Sequence, residues 1–188
     1  MALDVGFVVF DGMTILDLVG VYDPVTRLDI DGHLEVDHEI VAFREPTRDG
    51  AGLAVDPDRL GEPLQYDLVV VPGGRGTREL VEDSAFIDWI GTATKAERIA
   101  SVCTGSLLLG AAGLLEGRDA TTHPSAYDLL AEYCGTVREE RIVTDGHVVT
   151  ARGVSSSLDL GLWLCRELAG DEAATQTRER MDYPYGEY

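Results

Sequence analysis

Cys103 stands where a chain can make a thiol reactive. A short apolar run, residues 99–102, leads straight into Cys103-Thr-Gly-Ser106, and an apolar, small-residue segment patterned like a buried helix follows to position 115. Strand, cysteine, Thr-Gly and helix in that order place the sulfur on a sharp strand-to-helix elbow, over the positive end of a helix. Backbone N–H groups and the helix dipole favour thiolate over thiol there, so the sequence predicts a lowered thiol pKa. The turn also exposes the nucleophile and brings backbone amides toward a developing negative charge. The plain alternative is a buried structural cysteine, because free cysteine is among the most buried residue types.

The elements around the elbow are those of a layered α/β fold. Residues 3–10 read as a buried strand, and apolar positions 15, 18, 22, 25 and 28 then recur at helical spacing after Asp11-Gly12. Residues 35–43 read as a second strand, and a loop or hairpin rich in Gly, Pro and Arg covers 44–63. Residues 66–71 form a continuous apolar strand that stops at Pro72-Gly73-Gly74, the tight turn expected at the carboxyl end of a parallel strand. A helix over 84–95 precedes the elbow strand. A short strand (119–122), a helix (126–133), a hairpin around Asp145-Gly146, a helix from 156 to 168 and a polar helix over 171–181 follow it. Ser156 and Asp159 have capping-box spacing. Strands alternating with helices predict a mostly parallel sheet with helices on both faces, a three-layer sandwich formed by residues 1–188 as one domain. In such sheets ligands bind beyond the carboxyl ends of the strands. That rule brings together the first turn (carrying Asp17), the Pro72-Gly73-Gly74 turn and Cys103-Thr104.

Composition narrows the partners. Asp and Glu number 34 against 15 Lys and Arg, a net charge of −19, and Lys95 is the single lysine. So acidic a surface repels nucleic acid and anionic membranes, and it resembles proteins of high-salt cytoplasm. Cys103, Cys134 and Cys165 form no CxxC pair, which suits a reducing cytoplasm without disulfides. The N-terminus lacks a basic, signal-like region, and glycines interrupt the longest apolar run. Cys165 falls at helical spacing with Leu158, Leu162 and Leu168 and reads as core; Cys134, before Gly135, reads as structural. His33, His38 and His147 have no paired ligands, so no metal is expected. The aromatic tail, residues 181–188, is read as packing over the pocket, against a partner subunit, or fraying.

Four stretches together, Leu16-Asp-Leu-Val-Gly20, Val71-Pro-Gly-Gly74, Ser101-Val-Cys-Thr-Gly-Ser106 and Ala120-Thr-Thr-His-Pro124, resemble the ThiJ/PfpI superfamily in order and spacing. The likeness runs from residue 2 to about 181, and it implies the flavodoxin-like, class I glutamine amidotransferase-like fold. Within the superfamily the pattern is most similar to the branch that hydrates isonitriles. The resemblance implies that Cys103 is the nucleophile, Asp17 its acidic partner and Thr104 a hydrogen-bonding pocket residue, with the amides of Gly74 and Thr104 as donors near the reacting atom. It also implies a cofactor-independent, homodimeric, cytoplasmic enzyme acting on a small molecule. Asp17 then has to stay protonated near neutrality through burial beside an apolar lining that includes Ile15 and Leu16; the alternative is a first-turn acid that complements the helix dipole. His123 either orients water or a proton, or is a second-shell or structural residue beside Pro124. PfpI-type peptidases place histidine directly after the nucleophile, where this chain has Thr104, which argues against proteolysis. The hydratase branch favours proline after Gly20, where this chain has Val21. Other branches imply a glyoxalase- or deglycase-like activity on dicarbonyls, typically with Glu where Asp17 stands, or a non-enzymatic redox-sensing protein whose Cys103 oxidises reversibly. AraC-type regulators share related elbows, but they add a helix-turn-helix domain, and the negative charge opposes DNA contact.

Overall fold

The computed structural model describes residues 2–185. Its centre is a seven-stranded sheet made of β1 (Leu3–Val8), β2 (Val36–Ala42), β3 (Arg59–Leu60), β4 (Leu68–Val71), β5 (Arg98–Val102), β8 (Ile142–Asp145) and β9 (Val148–Ala151). The spatial order is β3-β2-β1-β4-β5-β9-β8. Every pairing in that sheet is parallel except the β8–β9 hairpin at one edge. β4 shows why: Leu68-Val-Val-Val71 is buried at every position, as befits a strand covered on both faces.

Helices α1 (Ile15–Ile30), α6 (Ser156–Ala169) and α7 (Asp171–Arg180) pack on one another against one face. Helices α2 (Thr77–Leu80), α3 (Ser84–Gly91), α4 (Gly105–Ala111) and α5 (Tyr127–Leu130) form the opposite layer, with α4 touching the other three. The three-layer α/β sandwich is therefore as expected. α1 and α6 approach so closely that a Cβ on Gly161 falls 2.7 Å from Pro24 and 2.8 Å from the Gly20 carbonyl. Glycine at both positions lets the two backbones meet, which fixes the depth of α1 against the sheet.

Four local expectations change. β3 lies within the presumed loop and pairs in parallel with β2. Residues 119–120 do form a strand, β6 (Asp119–Ala120), but it pairs with β7 (Thr136–Val137) in a separate two-stranded sheet. The helix predicted over 126–133 shrinks to one α turn preceded by a 3-10 turn at Pro124–Ala126. The Ser156–Asp159 spacing is not a capping box. Ser156 Oγ turns back to the Gly153 N–H and carbonyl, while Asp159 is held by Arg141 and, at 2.8 Å, by the Tyr183 hydroxyl. Tyr183 thus seats the tail on α6 rather than over Cys103; residues 186–188 lie outside the described residues.

Candidate active site

β1, β4 and β5 are neighbours, so their carboxyl-end turns converge. Cys103, directly after β5, has φ 54°. A left-handed conformation costs a non-glycine residue about 1–2 kcal/mol, so something must hold it. Three chain segments do. The Cys103 N–H donates to the Ala151 carbonyl of β9 at 2.9 Å. Its own carbonyl accepts from Thr122 Oγ1 at 2.9 Å and from Ser106 Oγ at 3.1 Å. Gly73 must be glycine for the same reason: a Cβ there lies 2.8 Å from the Cys103 Cβ.

Asp17 enters from the first turn of α1 and is fully buried. Its Oδ2 accepts the Gly73 N–H at 3.0 Å, while Oδ1 has no partner of full hydrogen-bond geometry. Burial pushes the carboxyl up to about 7, against smaller opposing effects of the Gly73 N–H and the Cys103 side chain. The position at a helix start, which favours the anion, loses to desolvation; Asp17 is not a solvated dipole-complementing acid.

The lowered thiol pKa is corrected. Burial first, and the neighbouring Asp17 charge second, push Cys103 up to about 11, with the Thr104 amide and hydroxyl opposing. Both groups are thus held toward their protonated forms, Asp17 by burial and Cys103 by burial and then by the Asp17 charge. Protonating Asp17 removes the charge that opposes the thiolate.

Thr104 lies beside the sulfur, 5% exposed. Its Oγ1 accepts the Gly74 N–H at 3.0 Å and sits 3.1 Å from the Gly74 carbonyl and 3.0 Å from Thr77 Oγ1. Thr77 itself donates to the Gly74 carbonyl at 2.8 Å. The Thr104 hydroxyl donates to the Gly74 carbonyl in this arrangement, and its one proton serves the sulfur only by turning away from that carbonyl. The Gly74 amide, expected near the reacting atom, is therefore engaged by Thr104, while the Thr104 N–H keeps its approach to the sulfur.

Cys103 opens onto a groove of about 510 Å³ lined by Thr14, Gly74, Arg75, Arg78, Thr104, His123, Ser125 and Val154. Ile15 is not among these residues; it is packed against the core, and Leu16 is 39% exposed on the outside. The lining is thus more polar than the apolar one anticipated. His123 Nδ1 accepts the Ser125 N–H at 3.2 Å and contacts the Ser125 hydroxyl at 2.8 Å, so the neutral ring carries its proton on Nε2. Sequence reasoning missed Arg75, Arg78, Thr77 and the clamp made by Thr122 and Ser106. Thr122 and Ser106 fell within quoted motifs, but nothing in the spacing showed that they hold the Cys103 carbonyl. Among the described residues no cluster of three or more His, Cys, Asp or Glu could hold a metal ion, and no helix is long and apolar enough to cross a membrane.

This elbow, with a carboxyl behind it and a Gly-Gly turn beside it, coincides with a match of residues 4–167 to the model of the DJ-1/PfpI family. The chain belongs to the DJ-1/PfpI family. It is 39% identical to the isonitrile hydratase of Pseudomonas putida over 186 residues, which covers 97% of this chain and 79% of that protein. The crystal structure of a ThiJ/PfpI family protein from Pseudomonas syringae superposes with TM-score 0.88 at 34% identity, covering 100% of this chain and 78% of that one. Drosophila melanogaster DJ-1beta, at 21% identity, shares the fold with TM-score 0.83 over 98% of this chain and all of that one.

Proposed function

We propose that this DJ-1/PfpI protein hydrates small isonitriles to N-substituted formamides, with Cys103 as nucleophile and Asp17 as proton carrier. One observation supports this above the others: a carboxyl poised near neutrality beside a buried thiol on an open elbow. The terminal carbon of an isonitrile must gain a nucleophile and a proton together. A carboxyl with a pKa of about 7 is matched to take a proton at one moment and give it back at the next. The likeness to the Pseudomonas putida hydratase supports the same reading.

In the proposed cycle Asp17 carboxylate takes the thiol proton as sulfur gives its electron pair to the isonitrile carbon. The carbon's own lone pair takes that proton back from Asp17, leaving a thioimidate, R–N=CH–S. Water adds to this carbon, its second proton reaches nitrogen, and the C–S bond breaks. The thiol regains its proton, and R–NH–CHO departs. One water is consumed and nothing is oxidised. Thr104 N–H and hydroxyl steady the sulfur as it becomes negative and again as it leaves. His123 at the groove wall is assigned to positioning the water. A homodimer is proposed as the working form. Incubation with cyclohexyl isocyanide, followed by NMR, yields the formamide in proportion to active protein; no product at the salt that keeps the chain folded refutes the assignment. Methylglyoxal consumption under the same conditions separates a dicarbonyl activity from it.

A further inference from the structure

The groove over Cys103 carries a local charge opposite to that of the whole chain. Among the described residues no Asp or Glu lines it, whereas Arg75 and Arg78 both do. Three other surface grooves show the contrast: one includes Asp4, Asp37, Glu39 and Glu62, another Asp11, Glu45, Glu79 and Asp83, and a third Glu45 and Asp56. The other arginines are engaged: Arg27, Arg44, Arg59 and Arg138, for instance, pair with carboxylates at 2.5–3.0 Å. Among the described residues the guanidinium groups of Arg75 and Arg78 have no ion pair, hydrogen bond or ring partner. In a chain so rich in carboxylates, two neighbouring cations at one opening and without an acid mark a place kept for an incoming anion.

Resting on the hydratase reading, we infer that the substrates are isonitriles bearing a carboxylate, recognised by Arg75 and Arg78 while the isonitrile carbon reaches Cys103. The net charge of −19 does not forbid this. At physiological ionic strength charges beyond about 8 Å are screened, so the nearest groups decide, and here they are guanidinium groups. Arginine's planar fork fits a carboxylate through two parallel N–H bonds, giving orientation as well as attraction. Asp17 meets the substrate as a carboxylate and is neutralised as it takes the thiol proton, so its repulsion of an anion is relieved as the reaction begins.

Isocyanoacetate and its neutral methyl ester test this at the lowest salt that keeps the protein folded. The wild-type protein is expected to favour the acid by roughly tenfold in kcat/KM, the scale of two exposed charge-assisted contacts, and the preference shrinks as salt rises. In Arg75→Gln/Arg78→Gln the acid-to-ester ratio falls to near one, and in Arg75→Lys/Arg78→Lys part of it survives. Equal use of acid and ester by the wild type, or a preference that persists in the double Gln variant, overturns the inference. Alkylation keeps it separate from the hydratase reading. Iodoacetate and iodoacetamide differ mainly in charge, and their relative rates at Cys103, mapped by peptide mass spectrometry, are compared with those at glutathione. A ratio shifted toward iodoacetate that the double Gln variant abolishes supports anion selection even if no isonitrile turns over. An unshifted ratio defeats it even if isonitriles do.

Discussion

Cys103 and Cys165 are both buried thiols, and burial raises both, to about 11 and about 12 respectively. Their surroundings differ in every other way. Cys165 sits within regular helix α6, fully buried, with its sulfur 3.3 Å from the Pro24 carbonyl of α1. Cys103 sits on a left-handed residue, beside a carboxyl whose own proton is loosely decided, at the floor of an open groove. Burial alone therefore does not distinguish a structural thiol from a reactive one. The distinction lies in backbone bend, access and a proton acceptor whose pKa is close to the working pH.

The comparison breaks most sharply on the two cysteines themselves. Cys103→Ser is expected to lower kcat/KM by at least about a thousandfold, as removal of a covalent nucleophile does, whereas Cys165→Ala leaves turnover of cyclohexyl isocyanide unaltered. Comparable losses in both variants would erase the contrast. Asp17→Asn is expected to cost about a hundredfold or more, the usual contribution of a positioned acid–base group. It also abolishes the limb of the kcat/KM profile near pH 7 that the raised carboxyl imposes. A limb that survives in Asp17→Asn belongs to another group.

Stability offers a second reading of Asp17. Its folded pKa, about 7, exceeds the ordinary 3.8, so between those values the folded chain binds more protons than the unfolded one. The contribution is fully present below pH 3.8, and it is lost as pH rises through 7. Denaturant midpoints of Asp17→Asn should therefore decline less than wild type across that window. A smaller effect is expected at Thr104→Val, about tenfold in kcat/KM, because one hydrogen bond to a charged sulfur is lost and the Gly74 amide is left unpaired. The smallest is the stability cost of Cys165→Ala, about 1 kcal/mol in urea melts, from one lost buried sulfur.

Much of the sheet was legible from apolar runs and their stops, β4 above all, where four apolar residues end at Pro72-Gly73-Gly74. β3 was not, since two exposed residues, Arg59 and Leu60, carry no periodic signal. β6 was seen but misplaced, because periodicity identifies a strand and not its partner. Ser156 and Asp159 misled because spacing cannot tell whether a hydroxyl turns back to Gly153 or forward into the helix. At the site, topology alone brought Asp17, Gly74 and Cys103 together. The direction of the Cys103 shift was misread: the sequence displays the helix dipole but conceals desolvation, the largest cause, and the charge of the adjacent Asp17 was not weighed against the thiolate. Arg75 and Arg78 stayed invisible because only the folded path of the turn after β4 and of α2 brings them to the groove that Cys103 also lines.

The bend at Cys103 depends on the carbonyl of Ala151, a residue of the strand laid beside β5. A growing polypeptide that has not yet emerged to that point carries an ordinary, unbent cysteine with no fixed relation to Asp17. The pairing of a bent thiol with a buried carboxyl is thereby withheld until β9 docks beside β5, and it belongs to the completed sheet rather than to any shorter length of the chain.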